Sequence, residues 1–492
     1  MAYYFISIGG SGAKVLEALT HLCVAGAMPT REDLNILAID PDSGNGNLER
    51  SGSALNQFIK FQNLSVGNDT PLFKTKMTLI KPLPWNPIEI DKTLDDLIGF
   101  QIYKNSALGS LYEVLYTRRE RNTKLNEGFR GHPSIGAAVL AKKYTLRDNR
   151  NTQWTDFIQK IKQDTNNGGE IKIFFAGSVF GGTGASGIPT IARLLRNDLS
   201  KNDDNSGVRK IISIGGAFIL PYFSFTPPAD NDKLFAHSEN FLTNTKAALK
   251  YYAQRDNVFN AMYFLGDSHV THFKRFSIGA ATQKNDAHIV DFYGALAAID
   301  FFNQPADNSR VYNCIFHGDN DKFSWSDFPA LEEIENGDAK NFDLRKRFAK
   351  FARFIFAYVH FIKPVLRGLA SGDIKDYQYP WYVDYFKDID VVNTGAVKNF
   401  EDYTESFVTW LKQLETLPDR EVALIKSSMF AARPAQIVNA EDFSSCDGVI
   451  TKPELTLHEI WYRLSEDFKI YAAVNGYGKF LRRLYEACDA EI

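Results

Sequence analysis

The chain of 492 residues is long enough for two or three domains that each bury a hydrophobic core. Hydrophobic residues make up 44% and charged residues 23% of it, as in an ordinary soluble globular protein. The net charge of −3 argues against a general nucleic-acid-binding protein.

Cysteine usage and hydropathy favour a cytoplasmic protein. The four cysteines lie far apart and match no CxxC or cysteine–histidine ligand spacing, so we predict neither disulfides nor structural zinc. The N-terminus lacks a basic segment followed by a long apolar one, so we expect no signal peptide. The sequence contains no run of 18 apolar residues, so we predict no membrane span.

A short apolar strand, Tyr3–Ile8, opens the chain, and a glycine-rich turn follows it directly. The turn consists of Gly9, Gly10, Ser11 and Gly12. Apolar residues then recur at helical spacing, at Val15, Leu16, Leu19 and Leu22. A strand, a glycine turn and a helix start in this order favour a bound anion, because free N–H groups and the helix dipole point at the turn. Lys14 either reaches a phosphate there or faces solvent.

The second predicted strand ends at Ile39, and Asp40, Pro41 and Asp42 follow it. Carboxylates after a strand of an α/β fold commonly lie near the ligand crevice. Asp40 therefore either contacts a ribose or a magnesium-bound water, or forms a turn or helix cap.

Residues 51–130 are less regular, with three prolines around Trp85, and read as an elaborated insertion. A turn containing Gly131, His132 and Pro133 comes next and opens a helix over Ala137–Lys143. His132 is either a ligand contact or a structural residue.

The most informative stretch runs from Ile171 to Leu195 and reads IKIFFAGSVFGGTGASGIPTIARLL. Its first six residues are typical of a strand buried on both faces. Small residues follow, at Gly177, Gly181, Gly182, Thr183, Gly184, Ala185, Ser186 and Gly187. Because helical spacing resumes at Ile188, the stretch predicts a second phosphate site. It is neither a Walker loop, which needs GK[ST], nor the GxGxxG of dinucleotide folds.

Two further strands are predicted, at Lys210–Leu220 and Val258–Gly266, with a helix containing NTKAALKYYAQ between them. Strands and helices thus alternate from residue 3 to residue 266, and glycine turns fall at the ends of strands. This pattern predicts a parallel, doubly wound α/β sheet.

The stretch GGTGASG resembles the phosphate-binding signature of the tubulin/FtsZ superfamily, GGGTGSG or GGGTGTG. It departs from that signature at Phe180 and Ala185 but keeps a glycine on each side of Thr183. Four other stretches resemble the family in the same order. They are the first glycine turn, the GHP turn in place of GxNP, the PYF segment at Pro221 in place of EPYN or KPF, and NTKAALKYYAQ in place of NEALYDI.

The resemblance covers roughly residues 1–300 and implies a site for GTP or GDP with Mg²⁺. By this likeness Pro221 lies under the ribose, Asn244 reads the guanine edge, and Asn285 stacks on or bonds to the base. The implied nucleotide-binding residues are Gly9, Gly10, Ser11, Gly12, Asp40, Gly131, His132, Gly181, Gly182, Thr183, Gly184, Ala185, Ser186, Pro221, Asn244 and Asn285.

The expected fold class is α/β, a Rossmann-like parallel sheet of tubulin/FtsZ type with a central helix and a mostly helical C-terminal domain. We place the GTPase domain at 1–283, the apolar central helix at 284–303 and the C-terminal domain at 304–492. A long helix from Phe342 to Leu369 has basic residues on one side and aromatic residues on the other. It either lies on a membrane surface or packs in the core.

Tubulin-like GTPases complete their site with an acidic loop from the next subunit, which orients water against the γ-phosphate. The segment FSWSDFPALEE offers Asp327, with Glu332 and Glu333 nearby, as the catalytic acid. The segment KNFDLRK offers Asp343 instead. Asp327 is our choice, and a helix cap is the alternative for both aspartates.

The sequence therefore predicts a prokaryotic, cytoplasmic GTP-binding protein that assembles with itself, head to tail, into filaments and hydrolyses GTP between subunits. Direct binding of nucleic acid is not expected, and adaptor proteins are not identified. The alternative is a guanine-nucleotide-binding regulator or scaffold that neither polymerises nor hydrolyses appreciably. An enzyme that uses NAD or a methyl donor is disfavoured, because GxGxxG with a downstream acidic residue is absent.

Overall fold

We describe a computed structural model of the chain. The described residues are 1–28, 33–64, 73–80, 83–88, 92–125, 128–129, 131–145, 152–167, 170–200, 212–226, 238–254, 258–273, 283–304, 310–316, 322–323, 331–335, 338–342, 344–375, 379–386, 395–417, 421–422, 457–466 and 476–489. Asp327 and Asp343, the two candidate catalytic acids, lie outside them.

A seven-stranded parallel sheet forms the centre of the protein. In chain order the strands of the structure are β1 (Ala2–Ile8), β2 (Asp33–Ile39), β3 (Lys76–Leu79), β4 (Ile171–Ser178), β5 (Ile212–Ile219), β6 (Phe223–Phe225), β7 (Ala261–Asp267), β8 (Thr271–Phe273), β9 (Arg310–Phe316), β10 (Lys322–Phe323), β11 (Leu331–Glu335), β12 (Asp338–Phe342) and β13 (Glu421–Val422). The main sheet has the order β3-β2-β1-β4-β5-β7-β9, and all its neighbouring strands are parallel. The strand order reverses between β1 and β4, which is where ligands bind in doubly wound sheets.

Helices cover both faces of the sheet. They are α1 (Gly9–Val24), α2 (Gly46–Phe61), α3 (Leu94–Ile98), α4 (Phe100–Tyr103), α5 (Ala107–Leu115), α6 (Arg118–Asn122), α7 (Pro133–Thr145), α8 (Thr152–Asn166), α9 (Thr183–Ser200), α10 (Phe241–Gln254), α11 (Ile289–Asn303), α12 (Leu344–Ala357), α13 (Lys363–Ser371), α14 (Pro380–Phe386), α15 (Gly395–Glu415), α16 (Leu457–Glu466) and α17 (Tyr477–Ala487). A π-helical turn, Tyr358–Ile362, joins α12 to α13.

Each face of the sheet has its own hydrophobic core. Along β1, Tyr3 and Phe5 pack with α1, α2 and α11 on one face. Tyr4 and Ile6 pack with α7, α8 and α9 on the other. Both faces of the strand are therefore buried, as a continuous apolar run predicts. The expected parallel, doubly wound sheet is confirmed.

The apolar central helix, α11, begins at Ile289 rather than at residue 284. The reason is a capping box, in which the backbone N–H of Val290 donates to His288 Nδ1 over 3.2 Å and that of His288 donates to Asp291 Oδ2 over 2.8 Å. A methyl group at Gly294 would lie 2.8 Å from Val15 Cγ2, so α11 packs closely on α1. Its other side carries Phe292, which stacks on Trp410 at a centroid distance of 5.8 Å.

The described part of the C-terminal third packs on this same core. Helix α12 buries Phe348, Phe351 and Phe354, and α15 contributes Phe400, whose ring lies 5.3 Å from that of Phe61. The aromatic side of the long helix is therefore core, and the membrane-surface reading of it was wrong. Strand β9 follows α11 and joins the main sheet beside β7. The domain boundaries themselves stay a prediction.

None of the helices in the described part of the chain is both long and apolar enough to cross a bilayer.

Candidate nucleotide-binding site

The two glycine turns meet at the carboxyl ends of β1 and β4. These strands are adjacent, with Ser7 opposite Ala176. Gly9 has a φ of +71°, which favours glycine, and a methyl group there would lie 3.2 Å from Thr183 Cβ. A methyl group at Gly12 would overlap the carbonyl oxygen of Ala176. The glycines therefore let the two turns form one continuous surface at the point where the strand order reverses.

Two helices begin at this surface, α1 at Gly9 and α9 at Thr183. The first turn of an α-helix leaves its N–H groups without partners inside the helix. Acidic side chains stabilise a helix when they lie in its first turn, but neither helix has an acidic residue there. The positive ends of both helices therefore remain available to an anion.

A third turn, at residues 131–133, packs against the turn at residues 181–186. A methyl group at Gly182 would lie 2.9 Å from the backbone nitrogen of Gly131, whose φ is +78°. The Ser186 hydroxyl donates to the carbonyl oxygen of Gly182 over 2.7 Å, so its proton holds the turn. Helix α7 starts at Pro133, again without an acidic residue in its first turn. The structure thus brings together the glycine turns at 9–12, 131–133 and 181–186.

His132 lies in this third turn, with its Nδ1 atom 3.2 Å from Glu120 Oε1 on α6. Burial lowers the pKa of His132, while the Glu120 carboxylate opposes that shift. The imidazole therefore joins the turn to α6, and whether it also contacts a ligand stays a prediction.

A polar cluster borders the first glycine turn. A methyl group at Gly10 would lie 3.2 Å from Asn45 Nδ2 and 3.3 Å from Asn47 Nδ2. The same Asn45 nitrogen donates to Gln283 Oε1 over 3.1 Å, and the backbone N–H of Asn285 donates to Asn47 Oδ1 over 2.8 Å. Asn285 was predicted from the sequence, whereas Asn45, Asn47 and Gln283 were not. The sequence does place Asn45 and Asn47 shortly after Asp40 in the same loop, and this position could have identified them.

Asp40 belongs to this cluster, since Asn45 Nδ2 donates to its Oδ2 over 3.4 Å, and it is 3% exposed. Burial raises the pKa of Asp40 to about 8, although the backbone N–H of Asp42, which donates to Asp40 Oδ1 over 3.0 Å, lowers it. Burial therefore favours the protonated form of the carboxyl group while no cation is bound. A bound cation would instead favour the ionised form.

Among the described residues, no group of three or more His, Cys, Asp or Glu side chains could hold a metal ion. Mg²⁺ in nucleotide sites is commonly held by one or two carboxylates together with phosphate oxygens and water. Asp40 and Asp42, both buried after β2, fit that smaller role.

Lys14 has neither of the roles considered from the sequence. Its side chain is 2% exposed, and Nζ lies 2.9 Å from Asp291 Oδ2. It also donates to the Tyr222 hydroxyl over 3.0 Å. Tyr222 directly follows Pro221, so the segment after β5 packs against the base of α1.

Asn244 lies beside the second glycine turn. Its Nδ2 donates to the carbonyl oxygen of Phe180 over 3.1 Å. It also lines a cleft of about 350 Å³ between α7, α9 and α10, together with Ser134 and Arg193. The contacts that gather Asp40, Asn45, Asn47 and Asn285 do not include it.

Of the acidic loop, the described part is β11, which contains Glu332 and Glu333. These residues pair with Asn341 and Lys340 of β12 in an antiparallel hairpin. The catalytic role of their neighbour Asp327 stays a prediction.

No protein-family model matches the sequence, and no curated protein matches it. Among solved structures, the chain is similar to a GTPγS-bound protofilament of CetZ2 from Haloferax volcanii, with 14% sequence identity and a TM-score of 0.24. The match covers 54% of this chain and 49% of that chain, so it spans about half of each. At this level the similarity adds no argument to the geometry of the three turns.

Proposed function

We propose that this protein binds a nucleoside triphosphate at the carboxyl ends of β1 and β4, as a GTP-binding protein of the tubulin/FtsZ type. The observation that carries the proposal is the meeting of three glycine turns and the starts of α1, α7 and α9 where the strand order reverses. Such a surface offers many backbone N–H groups and little side-chain bulk, which is what phosphate oxygens require.

The phosphates would bind to backbone N–H groups of 9–12 and 181–186, with Gly131 and His132 closing the far side. Thr183 adds a hydroxyl donor. Asp40 and Asp42 would hold Mg²⁺, which offsets the charge of the phosphates when it is bound. The phosphate assignments are supported by the contacts around Gly9 and Gly182. The assignment of Asp40 is supported by Asn45, which borders Gly10 and whose Nδ2 lies 3.4 Å from Asp40 Oδ2.

The sugar and base would extend from the phosphates along the polar side chains. Pro221 is proposed to lie under the ribose and Asn285 beside the base, as the resemblance implies. The proposed position of Asn285 beside the base is supported by its contact with Asn47, which borders Gly10. Asn244 is proposed to read the guanine edge. Its Oδ1 has no hydrogen-bond partner among the described residues, so it can accept from the N–H groups of guanine.

We further propose that subunits assemble head to tail over this site and that GTP is hydrolysed between them, with Asp327 as the acid from the next subunit. Gly10, Ser11, Gly131 and Thr183 are half-buried in the single chain. A bound nucleotide would therefore remain partly uncovered, and a second subunit is able to complete the enclosure. A contact between two different faces of this kind builds an open filament.

Nucleotide binding is tested by titrating the full chain with GTP, GDP, ATP and a non-hydrolysable GTP analogue, in a calorimeter. Ser11→Asp places a negative charge in the first turn of α1, where it suits the helix dipole but repels phosphate. We expect it to lower GTP affinity at least about tenfold without loss of stability. Ala107→Asp adds the same charge to the first turn of α5 and should leave affinity unchanged.

Light scattering and pelleting with the same nucleotides test assembly. Selective pelleting with GTP and the analogue, lost in Ser11→Asp, supports the filament. Binding without assembly favours the non-polymerising regulator. Absence of guanine-nucleotide binding overturns the proposed function and leaves only the fold.

A further inference from the structure

The segment from Ile102 to Leu115 exposes apolar side chains to an unusual degree. Of the 13 large hydrophobic residues that are exposed in the described part of the chain, six lie in it. They are Ile102 (81%), Tyr103 (41%), Leu108 (56%), Leu111 (53%), Val114 (83%) and Leu115 (61%). Scattered exposed apolar residues need no explanation, but a cluster of this kind marks a binding surface.

Four of these six residues lie on one face of α5, and Ile102 and Tyr103 belong to α4. Leu108, Leu111 and Leu115 have the spacing that puts side chains on one side of a helix, and Val114 adjoins them. Gly109 and Tyr112 lie on a different face and are buried. A side chain at Gly109 would overlap the carbonyl oxygen of Tyr103, so α5 is held close against the end of α4.

Contacts with neighbouring helices hold this segment in place. The Tyr112 hydroxyl donates to Asp95 Oδ1 over 2.9 Å, and the Arg121 guanidinium lies 4.6 Å from the centre of the Phe100 ring. The Tyr116 hydroxyl donates to the carbonyl oxygen of Ser134 over 3.2 Å, which ties the end of α5 to α7. The exposed apolar face is therefore displayed by an ordered helix.

Exposed cations stand at the two ends of the apolar face. Lys104, Arg118 and Arg119 are exposed at its two ends. Of the acidic side chains nearby, Glu113 and Asp95 lie 3.2 and 3.9 Å from the Arg121 guanidinium, and Glu120 lies 3.2 Å from His132. An apolar stripe flanked by cations is complementary to a surface that is apolar inside and anionic outside.

We propose that the 102–119 segment docks on a lipid bilayer that contains anionic phospholipids, with Leu108, Leu111, Val114 and Leu115 entering the interface. A second copy is a poorer occupant. If two α5 helices packed antiparallel, Lys104 of one copy would lie near Arg118 and Arg119 of the other, and like charges would repel. The stripe also lies on a helix that is exposed at every position except Gly109 and Tyr112, which suits insertion between lipid headgroups. This proposal does not depend on nucleotide binding.

Co-sedimentation of the full chain with vesicles tests the proposal. The vesicles consist of phosphatidylcholine alone or of phosphatidylcholine and phosphatidylglycerol in equal parts. We expect the protein to pellet with the anionic vesicles and much less with the neutral ones, and added salt should weaken the binding. Leu111→Asp and Val114→Asp should each lower the apparent partition coefficient about tenfold or more.

Leu242→Asp provides the matched control, because Leu242 is 61% exposed on α10, outside the segment. It should bind vesicles as the unmodified protein does. The double variant Arg118→Ser/Arg119→Ser should bind more weakly and lose most of the salt dependence.

Failure of the unmodified protein to pellet with anionic vesicles overturns the proposal, and so does equal binding by Val114→Asp. Light scattering coupled to size-exclusion chromatography tests the alternative, in which a second copy of the chain binds to this face. If the protein is a dimer that Val114→Asp converts to a monomer, and vesicles are not bound, the face is a contact between copies and the lipid assignment is wrong.

Discussion

Lys14 and Asp291 form an ion pair in the interior of the protein, with Nζ and Oδ2 separated by 2.9 Å and side chains that are 2% and 1% exposed. Lys14 belongs to the helix that starts at the first glycine turn, and Asp291 caps α11. The Tyr222 hydroxyl accepts a further hydrogen bond from Lys14. One buried cation thus holds together three segments that are far apart in the sequence.

Removal of that cation should destabilise the fold. We expect Lys14→Met to lower the free energy of unfolding by about 3 kcal/mol, because it leaves the Asp291 carboxylate buried without its charge partner. Urea denaturation measures the loss. The double variant Lys14→Met/Asp291→Asn should recover part of it, because an amide still accepts the bond from the His288 N–H without carrying a charge.

Arg482→Met is a suitable comparison for this experiment, since it breaks a partly exposed ion pair with Glu486 on α17. Its cost should stay below about 1 kcal/mol. A similarly small cost for Lys14→Met would mean that water or rearrangement compensates the carboxylate.

Gly10 and Gly12 should respond differently to the same substitution. A methyl group at Gly12 overlaps a backbone carbonyl of β4, which cannot yield, whereas at Gly10 it meets the ends of two asparagine side chains 3.2 and 3.3 Å away. We expect Gly12→Ala to cost about 1 to 3 kcal/mol of stability. Gly10→Ala should cost little stability but weaken nucleotide binding. Thermal unfolding and calorimetric titration of both variants decide this, and equal stabilities would show that α1 shifts freely on β4.

The buried Asp40 should make stability depend on pH. Its pKa in the folded protein, about 8, lies above the ordinary value of 3.8, so the folded state binds this proton more tightly than the unfolded state. Its contribution to the free energy of unfolding is therefore fully present below the lower value and is lost as pH rises through the upper one, by at most about 1.4 kcal/mol per pH unit.

Asp40→Asn removes that titration. The variant should gain stability relative to the unmodified protein as pH rises from about 5 to about 8, measured by urea denaturation across the range. Asp33→Asn, at the exposed start of β2, controls for the change of charge. If Asp40→Asn and the unmodified protein show the same slope, Asp40 does not titrate in this window.

Base recognition is tested by comparing GTP with inosine triphosphate, which lacks the 2-amino group of guanine. If Asn244 accepts a hydrogen bond from that group, Asn244→Ala should reduce the preference for GTP about tenfold or more. Thr243→Ala, at the neighbouring exposed position, should not change it. An equal loss of affinity for both nucleotides would show that Asn244 only supports the turn through Phe180.

The sheet and its glycine turns were predictable because their signals are local. A buried strand that runs into glycines and then into helical spacing, as at Ile171–Leu195, specifies strand, turn and helix with neighbouring residues alone. The close approach of Gly9 to Thr183 also follows, once β1 and β4 are adjacent. The sequence did not show that adjacency directly, but parallel order and turns at strand ends made it the natural arrangement.

The roles of the polar side chains were harder to predict, because their partners lie far away in the sequence. Lys14 looks like a surface residue until Asp291 is placed beside it, and Asn45 becomes significant only through its contacts with Gly10 and Gln283. The start of α11 was misplaced because residues 284–288 have no breaker, and the boundary is set by the side chains of His288 and Asp291. The exposed face of α5 was missed because apolar spacing on a helix ordinarily indicates a core.

Helix α1 is buried around its circumference, with the sheet, α2 and α11 against it. Its first turn belongs to the glycine surface, and His21 near its last turn lies 3.0 Å from the Tyr403 hydroxyl of α15. At about 1.5 Å per residue, a rod of 16 residues spans roughly 24 Å. The glycine surface and α15 therefore contact opposite ends of one buried helix, and a single element links the proposed ligand site to the C-terminal helices.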